Sequence, residues 1–341
     1  MNNYAQKIGD RDGPLLAFGP LRLPGRAFLA PMAGVTDLGM RRAAALFGAS
    51  LVISEMVDAA YLHDAQSRAR AAGDGLDLHV VQIAARDPAA IGEAAKVAAG
   101  SGADALDINM GCPARRVVGG YAGAALMREP DLAARLIAAA VAAVAIPVSV
   151  KMRLGWDEAQ CNAPEIARRA ELEGAQLVTV HGRTRNQFYK GRADWSAIAA
   201  VRAATSLPLV ANGDCASLAD ARAMCAQSGA DAVMIGRAAV GRPWLVGEIA
   251  AGLAGAPWRA PSSQQRADAA TAHLDALLAA MGSKGLRHAR KHLAAYADAA
   301  AADGFGLPAP ARARLVQTDD AREARDLLAA CWTQNANVRA A

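Results

Sequence analysis

Eight short apolar runs, each bounded by turn residues, recur along the 341-residue chain and restrict its fold more than any other feature. They are Phe28–Met32, Leu51–Met56, His79–Ala84, Ala105–Met110, Pro147–Met152, Leu177–His181, Pro208–Asn212 and Ala232–Gly236. Runs this short and this continuously apolar suit strands buried on both faces, as in a parallel sheet. Between them lie alanine-rich amphipathic stretches of helical length, among them 88–99, 131–144, 164–173 and 218–227. Several open on a helix-start signal: Asp87 before Pro88, Asn162 before Pro164, and Ser217. Strand–helix units repeated eight times predict an α/β chain folded as a (β/α)8 TIM barrel. The alternative is an open doubly wound sheet, but no Gly-x-Gly-x-x-Gly follows the first run. The stretch 267–301 reads as helices. Residues 1–255 are therefore expected to form the barrel and residues 262–335 a C-terminal helical domain.

Composition narrows the class. A chain 53% hydrophobic and 20% charged is globular rather than disordered. Its five cysteines include no C-x-x-C pair, which argues against a disulfide framework or a zinc site and for a reducing compartment. The longest apolar run, 136–150, is broken by Pro147 and Ser149 and is too short for a membrane span. The N-terminus carries no secretory signal pattern. The expectation is a cytoplasmic, monomeric protein with neither membrane nor metal partner. A net charge of +5 is compatible with a polyanionic partner without proving one.

The strand ends carry the chemistry, because barrel active sites form at the C-terminal rim. Met32 and Ala33, Glu55, Gln82, Asn109 with Cys112, Lys151 and Arg153, His181 and Arg183, Asn212 with Asp214, and Gly236 with Arg237 all fall on that rim. Cys112, in the turn Gly111-Cys112-Pro113, is a nucleophile, an acid or a small buried hydrophobe. Gly213 and Gly236 let backbone approach a phosphate after strands seven and eight, where Arg237 adds charge. Lys151 ends the fifth run, where a fixed cation would stabilise the anion of a reduced flavin if one were bound, and Gln82 can donate to and accept from a ring's polar edge. His181 serves the ring or the phosphate.

These motifs, taken in order, resemble the tRNA-dihydrouridine synthase family, most closely its bacterial B-type. The resemblance is carried by Ala30-Pro31-Met32-Ala33-Gly34-Val35-Thr36-Asp37, Ser54-Glu55-Met56, Val81-Gln82-Ile83-Ala84 and Asp107-Ile108-Asn109-Met110-Gly111-Cys112-Pro113. It continues through Lys151-Met152-Arg153, His181-Gly182-Arg183-Thr184-Arg185, Ala211-Asn212-Gly213-Asp214 and Ile235-Gly236-Arg237 to Gly241-Arg242-Pro243-Trp244. It returns in Arg287-His288-Ala289-Arg290-Lys291-His292, similar to the basic helix of the family's C-terminal domain. The loop 115–123 is richer in glycine than the B-type pattern.

The resemblance implies an FMN barrel that reduces uridines of tRNA with NADPH as reductant. By position, Pro31, Met32, Ala33 and Gln82 would face the flavin and Lys151 its pyrimidine edge. Asn212, Gly213, Asp214, Gly236 and Arg237 would hold its phosphate arm. Cys112 matches the family's catalytic cysteine. A thiol of ordinary pKa, about 8.5, is mostly protonated at neutral pH and serves as the acid for uracil C5 while hydride goes to C6. Asn109, Arg153 and Arg183 are expected at the substrate. Arg287, Arg290 and Lys291, three or four residues apart on one helix, are expected at tRNA phosphates. Three other readings remain: an FMN barrel for a small free substrate, an RNA-binding barrel without catalysis, and a non-redox sugar-phosphate lyase.

Overall fold

The computed structural model describes residues 15–333, so the outermost limits expected for the two domains, residues 1 and 335, lie outside the described residues. Strands β1 (Leu16–Phe18) and β2 (Leu21–Leu23) pair as an antiparallel hairpin. A parallel sheet follows, made of β3 (Ala27–Leu29), β4 (Leu51–Val52), β5 (Val57–Asp58), β6 (Val80–Ala84), β7 (Ala105–Met110), β8 (Val148–Arg153), β9 (Leu177–His181), β10 (Leu209–Asn212) and β11 (Ala232–Ile235). The order is β4-β3-β11-β10-β9-β8-β7-β6-β5. Its two ends meet, because Ile53 bridges Val80 and the Ser54 N–H donates to the Val80 carbonyl at 3.0 Å. Segments β4 and β5 thus share one position, and the sheet closes as an eight-position barrel.

Read as one strand, 51–56 is divided by polar side chains that take over the ladder bonds. Ser54 Oγ accepts from the Gln82 N–H at 2.9 Å, and Glu55 Oε2 accepts from the Gly34 N–H at 2.8 Å. The β1–β2 hairpin was not read from the sequence. It buries Phe18 and Leu23 among the barrel-interior residues Phe28, Leu51, Val80, Leu177 and Val210, and so closes the bottom of the barrel.

Helices α1 (Leu38–Leu46), α2 (Ala65–Ala71), α3 (Pro88–Gly100), α4 (Arg115–Gly119), α5 (Pro130–Ala143), α6 (Ala163–Leu172), α7 (Ala199–Ala204), α8 (Leu218–Ser228) and α9 (Trp244–Leu253) accompany the strands. Asp87 caps α3, accepting from the Ala89 N–H at 3.0 Å, and Ser217 caps α8 through the Asp220 N–H at 3.1 Å. Asn162 precedes α6 without capping it; its amide donates instead to the Met127 carbonyl at 2.8 Å. The last four helices, α10 (Ser263–Met281), α11 (Ser283–Ala302), α12 (Ala309–Gln317) and α13 (Ala321–Ala330), share a separate core of Leu274, Leu286, Leu293, Tyr296, Leu315, Leu328 and Trp332. Trp244 of α9 joins that core edge-on to Phe47 and Trp332, which seats the helices on the barrel.

The strands' period of two decides where the site lies. One face of each strand (Ile108, Val150, Val178, Leu209 and Val233 among others) packs under the helices. The other face fills the barrel and changes character along its length. It is apolar at the N-terminal end, with Ala105, Leu177, Val210 and Ala232. It is polar toward the C-terminal end, with Gln82, Asp107, Asn109, Ser149, Lys151, Arg153, Thr179, His181 and Asn212. In-register pairing aligns Gln82 with Asp107 and Asp107 with Ser149, then Asn109 with Lys151 and Lys151 with Thr179.

Candidate active site

The polar end opens into a cavity of about 720 Å³. Pro31, Met32, Ala33, Gln82, Asn109, Cys112, Lys151, Arg153, His181, Asn212, Gly213, Asp214, Gly236 and Arg237 all line it. These come from seven strand ends distant in sequence, and Met56 adds the eighth position.

Buried polar contacts order its floor. Gln82 Nε2 donates to Asp107 Oδ2 at 2.6 Å, while Gln82 Oε1 accepts from Asn109 Nδ2 at 2.9 Å. Ser149 Oγ donates to the other Asp107 oxygen at 2.6 Å. Burial raises the Asp107 carboxyl above the ordinary aspartate range, opposed by the bonds from Gln82 and Ser149. This carboxylate fixes the Gln82 amide and hence which edge of that amide faces the cavity. Asp107 was not singled out from the sequence as a site residue, although an acid inside the apolar run Ala105–Met110 is a usable signal.

Asn109 also shapes the cysteine turn. Its Oδ1 accepts from the Gly111 and Cys112 N–H groups at 3.2 and 2.9 Å. The Cys112 carbonyl then accepts from the Ala124 N–H at 3.0 Å. That return is possible because residue 123 is glycine. With φ +60°, a Cβ there would lie 2.9 Å from the Cys112 carbonyl oxygen. The last glycine of the loop 115–123 is thus what brings the chain back against Cys112, whose side chain remains half-buried at the cavity.

Lys151 Nζ donates to Asn212 Oδ1 at 3.1 Å, and the Asn212 amide donates to the Met234 carbonyl at 2.8 Å. Burial, with Arg153 nearby, pushes the Lys151 ammonium down to about 8 from 10.5, against a smaller opposing pull from Asp107. His181 is held well below 6.5 by burial first and then by Lys151, Arg153 and Arg183, so it is neutral. Arg183 Nη1 lies 3.4 Å from His181 Nε2. Because arginine only donates, that nitrogen is the acceptor and the ring proton belongs on Nδ1.

The arginines divide by role in a way the sequence does not show. Arg183 lies outside the cavity lining and is 1% exposed, gripping both Asp214 oxygens at 3.0 and 2.6 Å and the carbonyls of Lys190 and Gly191. Its donors are engaged in holding the wall, not offered to a substrate. Arg153 is similarly buried and donates to the carbonyls of Gly111, Thr184 and Phe188 at 2.8, 2.9 and 2.9 Å, tying the cysteine turn to the loop after β9. Arg237, by contrast, is largely exposed and reaches Asp214 Oδ1 at 3.1 Å. The Tyr189 ring, 55% exposed at the cavity lip, lies against both Arg153 and Arg237; it too was not anticipated.

The wall after β10 and β11 is a cradle. Gly213 has φ +120°, and a Cβ there would fall 2.7 Å from His181 Cδ2. Asp214 follows in the left-handed region at φ +56°. Gly236 leaves the cavity open beside Met32 and Ala30.

The basic residues of α11 lie outside the cavity lining and do not act as one face. Arg290 donates to Asp319 at 2.8 Å and to the Gln317 carbonyl, within the helical unit. Arg287 and Lys291 are exposed, and Lys291 comes close to Gly34 beside the cavity loop.

Residues 28–336 match the family model described as dihydrouridine synthase (Dus). The chain belongs to the dihydrouridine synthase family. It is therefore an oxidoreductase of the class that acts on a CH–CH bond. It is 52% identical over 307 residues to a probable tRNA-dihydrouridine synthase of Rhodobacter capsulatus, covering 88% of this chain and 92% of that one. A probable tRNA-dihydrouridine synthase of Rhizobium leguminosarum is 54% identical, covering 80% and 84% of the two chains. A tRNA-dihydrouridine synthase B of Xanthomonas campestris is 46% identical, covering 83% and 86%. Among solved structures, histamine dehydrogenase from Rhizobium sp. 4-9 superposes with a TM-score of 0.53 at 14% identity. That match covers 79% of this chain and about half of the dehydrogenase, at 51%, and it supports the barrel fold. Among the described residues, no helix is long and apolar enough to cross a membrane.

Proposed function

We propose that this dihydrouridine synthase reduces the C5–C6 bond of a uridine in the tRNA D-loop, using FMN held in the barrel mouth and NADPH as reductant. The observation that carries this reading is the convergence of Cys112, Lys151, Gln82 and the Gly213/Gly236 cradle on one cavity. The residues present fit a flavin: a half-buried lysine with a neutral amide partner at one side, an oriented glutamine amide on the floor, and a glycine-opened wall with an arginine at the other end.

The roles follow from the atoms available. Gly213, Gly236 and Arg237 would hold the phosphate arm, and Asp214, itself held through both oxygens by Arg183, would steady Arg237. The Lys151 ammonium would stand at the pyrimidine edge and stabilise negative charge there. Pro31, Met32 and Ala33 form an apolar wall for the ring. When bound and reduced, FMN supplies the hydride that goes to uracil C6. Cys112 then delivers its thiol proton to C5, so two hydrogens are added in all. A uridine inside folded tRNA must be extruded to reach this depth, at a cost of a few kcal/mol that loop nucleotides reduce. Neutral His181 and the buried guanidinium of Arg153 shape the space that receives it.

The direct test is anaerobic. The flavin released from the purified protein should co-chromatograph with FMN, NADPH should bleach it in place, and tRNA lacking dihydrouridine should reoxidise it. Reoxidation by free uracil but not by tRNA would favour the small-substrate reading.

Two further outcomes are expected. Lys151 carries its proton below about pH 8 and loses it above. Flavin reduction by NADPH should therefore decline as pH rises through that region, and Lys151→Arg should move the decline to higher pH. A decline at the same pH in the variant would rule out Lys151 as its origin. On α11, reversing Arg287 and Lys291 to Glu should raise KM for tRNA about tenfold or more and leave flavin content unchanged, since each phosphate contact contributes to affinity. Arg290→Glu should instead lower thermal stability, because Arg290 is paired with Asp319. An unaltered KM in the Arg287/Lys291 double variant would remove this helix from the RNA face.

A further inference from the structure

His288 and His292, one turn apart on α11, face Asp37 at the N-cap of α1, across the joint between the helical unit and the barrel. One donor atom from each lies within 4.8 Å of the other two. We propose that Asp37, His288 and His292 bind a divalent transition-metal ion, of which Zn²⁺ is the best match, clasping the helical unit to the barrel beside the Pro31–Gly34 loop.

Three observations carry this. First, histidines at i and i+4 present their rings on one helical face, a spacing suited to a shared metal. Second, His292 is 1% exposed, and neither of its ring nitrogens has a hydrogen-bond partner. Its Nε2 stands 3.6 Å from Asp37 Oδ2, beyond hydrogen-bond reach but pointed at the same space. Third, Asp37 is already oriented from behind. His273 Nε2 lies 3.1 Å from Asp37 Oδ2, and His273 Nδ1 lies 3.1 Å from the Tyr296 hydroxyl. His273 is thus fully paired and acts as the outer partner that aims the carboxylate, an arrangement common around metal ligands.

Two imidazoles and one carboxylate select zinc-like ions over Mg²⁺ or Ca²⁺. In a tetrahedral site with bonds of about 2.0 Å the ligand atoms stand about 3.3 Å apart, so no pair needs to close by more than about 1.5 Å. His288, half-buried at the edge, is the member that can swing in. It is held off by Lys291, whose Nζ lies 3.2 Å from His288 Nε2 and competes with a cation for that nitrogen. The cysteine pattern says nothing about this site, because no cysteine takes part.

The test uses the full chain, stripped with a chelator and titrated with Zn²⁺, and with Co²⁺ as a spectroscopic probe. The expected result is one equivalent bound per chain, a tetrahedral Co²⁺ absorption band and a raised Tm. His288→Ala, at a half-buried position, should fold and bind at least about tenfold more weakly. Lys291→Ala should bind about tenfold more tightly, because a competing ammonium is gone. The absence of a stoichiometric site, or affinities unmoved by both substitutions, would overturn the proposal. Flavin content and tRNA reduction are separate readouts, so this clasp and the dihydrouridine reading fail independently.

Discussion

Cys112→Ala should purify with its flavin and lose roughly 10²- to 10⁴-fold in the rate of uridine reduction, the range expected when a positioned acid is removed. The structure explains why the two effects separate. The turn is held through main-chain groups, by Asn109 Oδ1 on the Cys112 N–H and by the Ala124 N–H on the Cys112 carbonyl. Neither bond involves Sγ, so removing the thiol leaves the turn, the cavity wall and Lys151 in place. Reduction of the bound flavin by NADPH should therefore proceed at the wild-type rate, while its reoxidation by tRNA slows. Equal loss in both half-reactions would mean that the substitution disturbs the cavity rather than the proton transfer.

Asp214→Ala should destabilise the protein by about 3 kcal/mol, equivalent to a Tm lower by roughly 4 °C for a chain of this size. The reason is the guanidinium left behind. Arg183 is buried and loses both carboxylate contacts, retaining only the Lys190 and Gly191 carbonyls and a weak approach to His181. The double variant Asp214→Ala/Arg183→Leu should recover part of that loss, because no buried charge is then stranded. Folded Asp214 is ionised below the ordinary aspartate range: burial raises it, but the bonds from Arg183 and Ala193 outweigh that. The pair's contribution is therefore present above the unfolded aspartate pKa and is lost as pH falls through the folded one. The difference in Tm between wild type and Asp214→Ala should be full at neutral pH and shrink below about pH 4.

The barrel was legible because its strands are buried on both faces and so appear as continuous apolar runs. The interior polarity was legible too, since Gln82, Asn109, Lys151, His181 and Asn212 each fall at the end of such a run or within two residues of it. Four features escaped for identifiable reasons. Strands of three residues, as in β1 and β2, are too short to show a period. The split in 51–58 comes from Ser54 and Glu55 bonding to partners on other strands, which local pattern does not encode. The arginines look alike in sequence; burial alone separates Arg153 and Arg183, engaged with carbonyls and a carboxylate, from exposed Arg237. The Asp37–His273–His292 cluster joins residues more than 200 positions apart and becomes visible once the helical unit is seated on the barrel.

The fate of the RNA tests this function most directly. Transfer RNA lacking dihydrouridine, incubated with this protein, FMN and NADPH, should gain the mass of two hydrogens on a single D-loop uridine, as read by nuclease mapping and mass spectrometry. Unchanged tRNA, despite bound flavin that NADPH reduces, would contradict the proposed substrate and return the cavity to a small-molecule reductase.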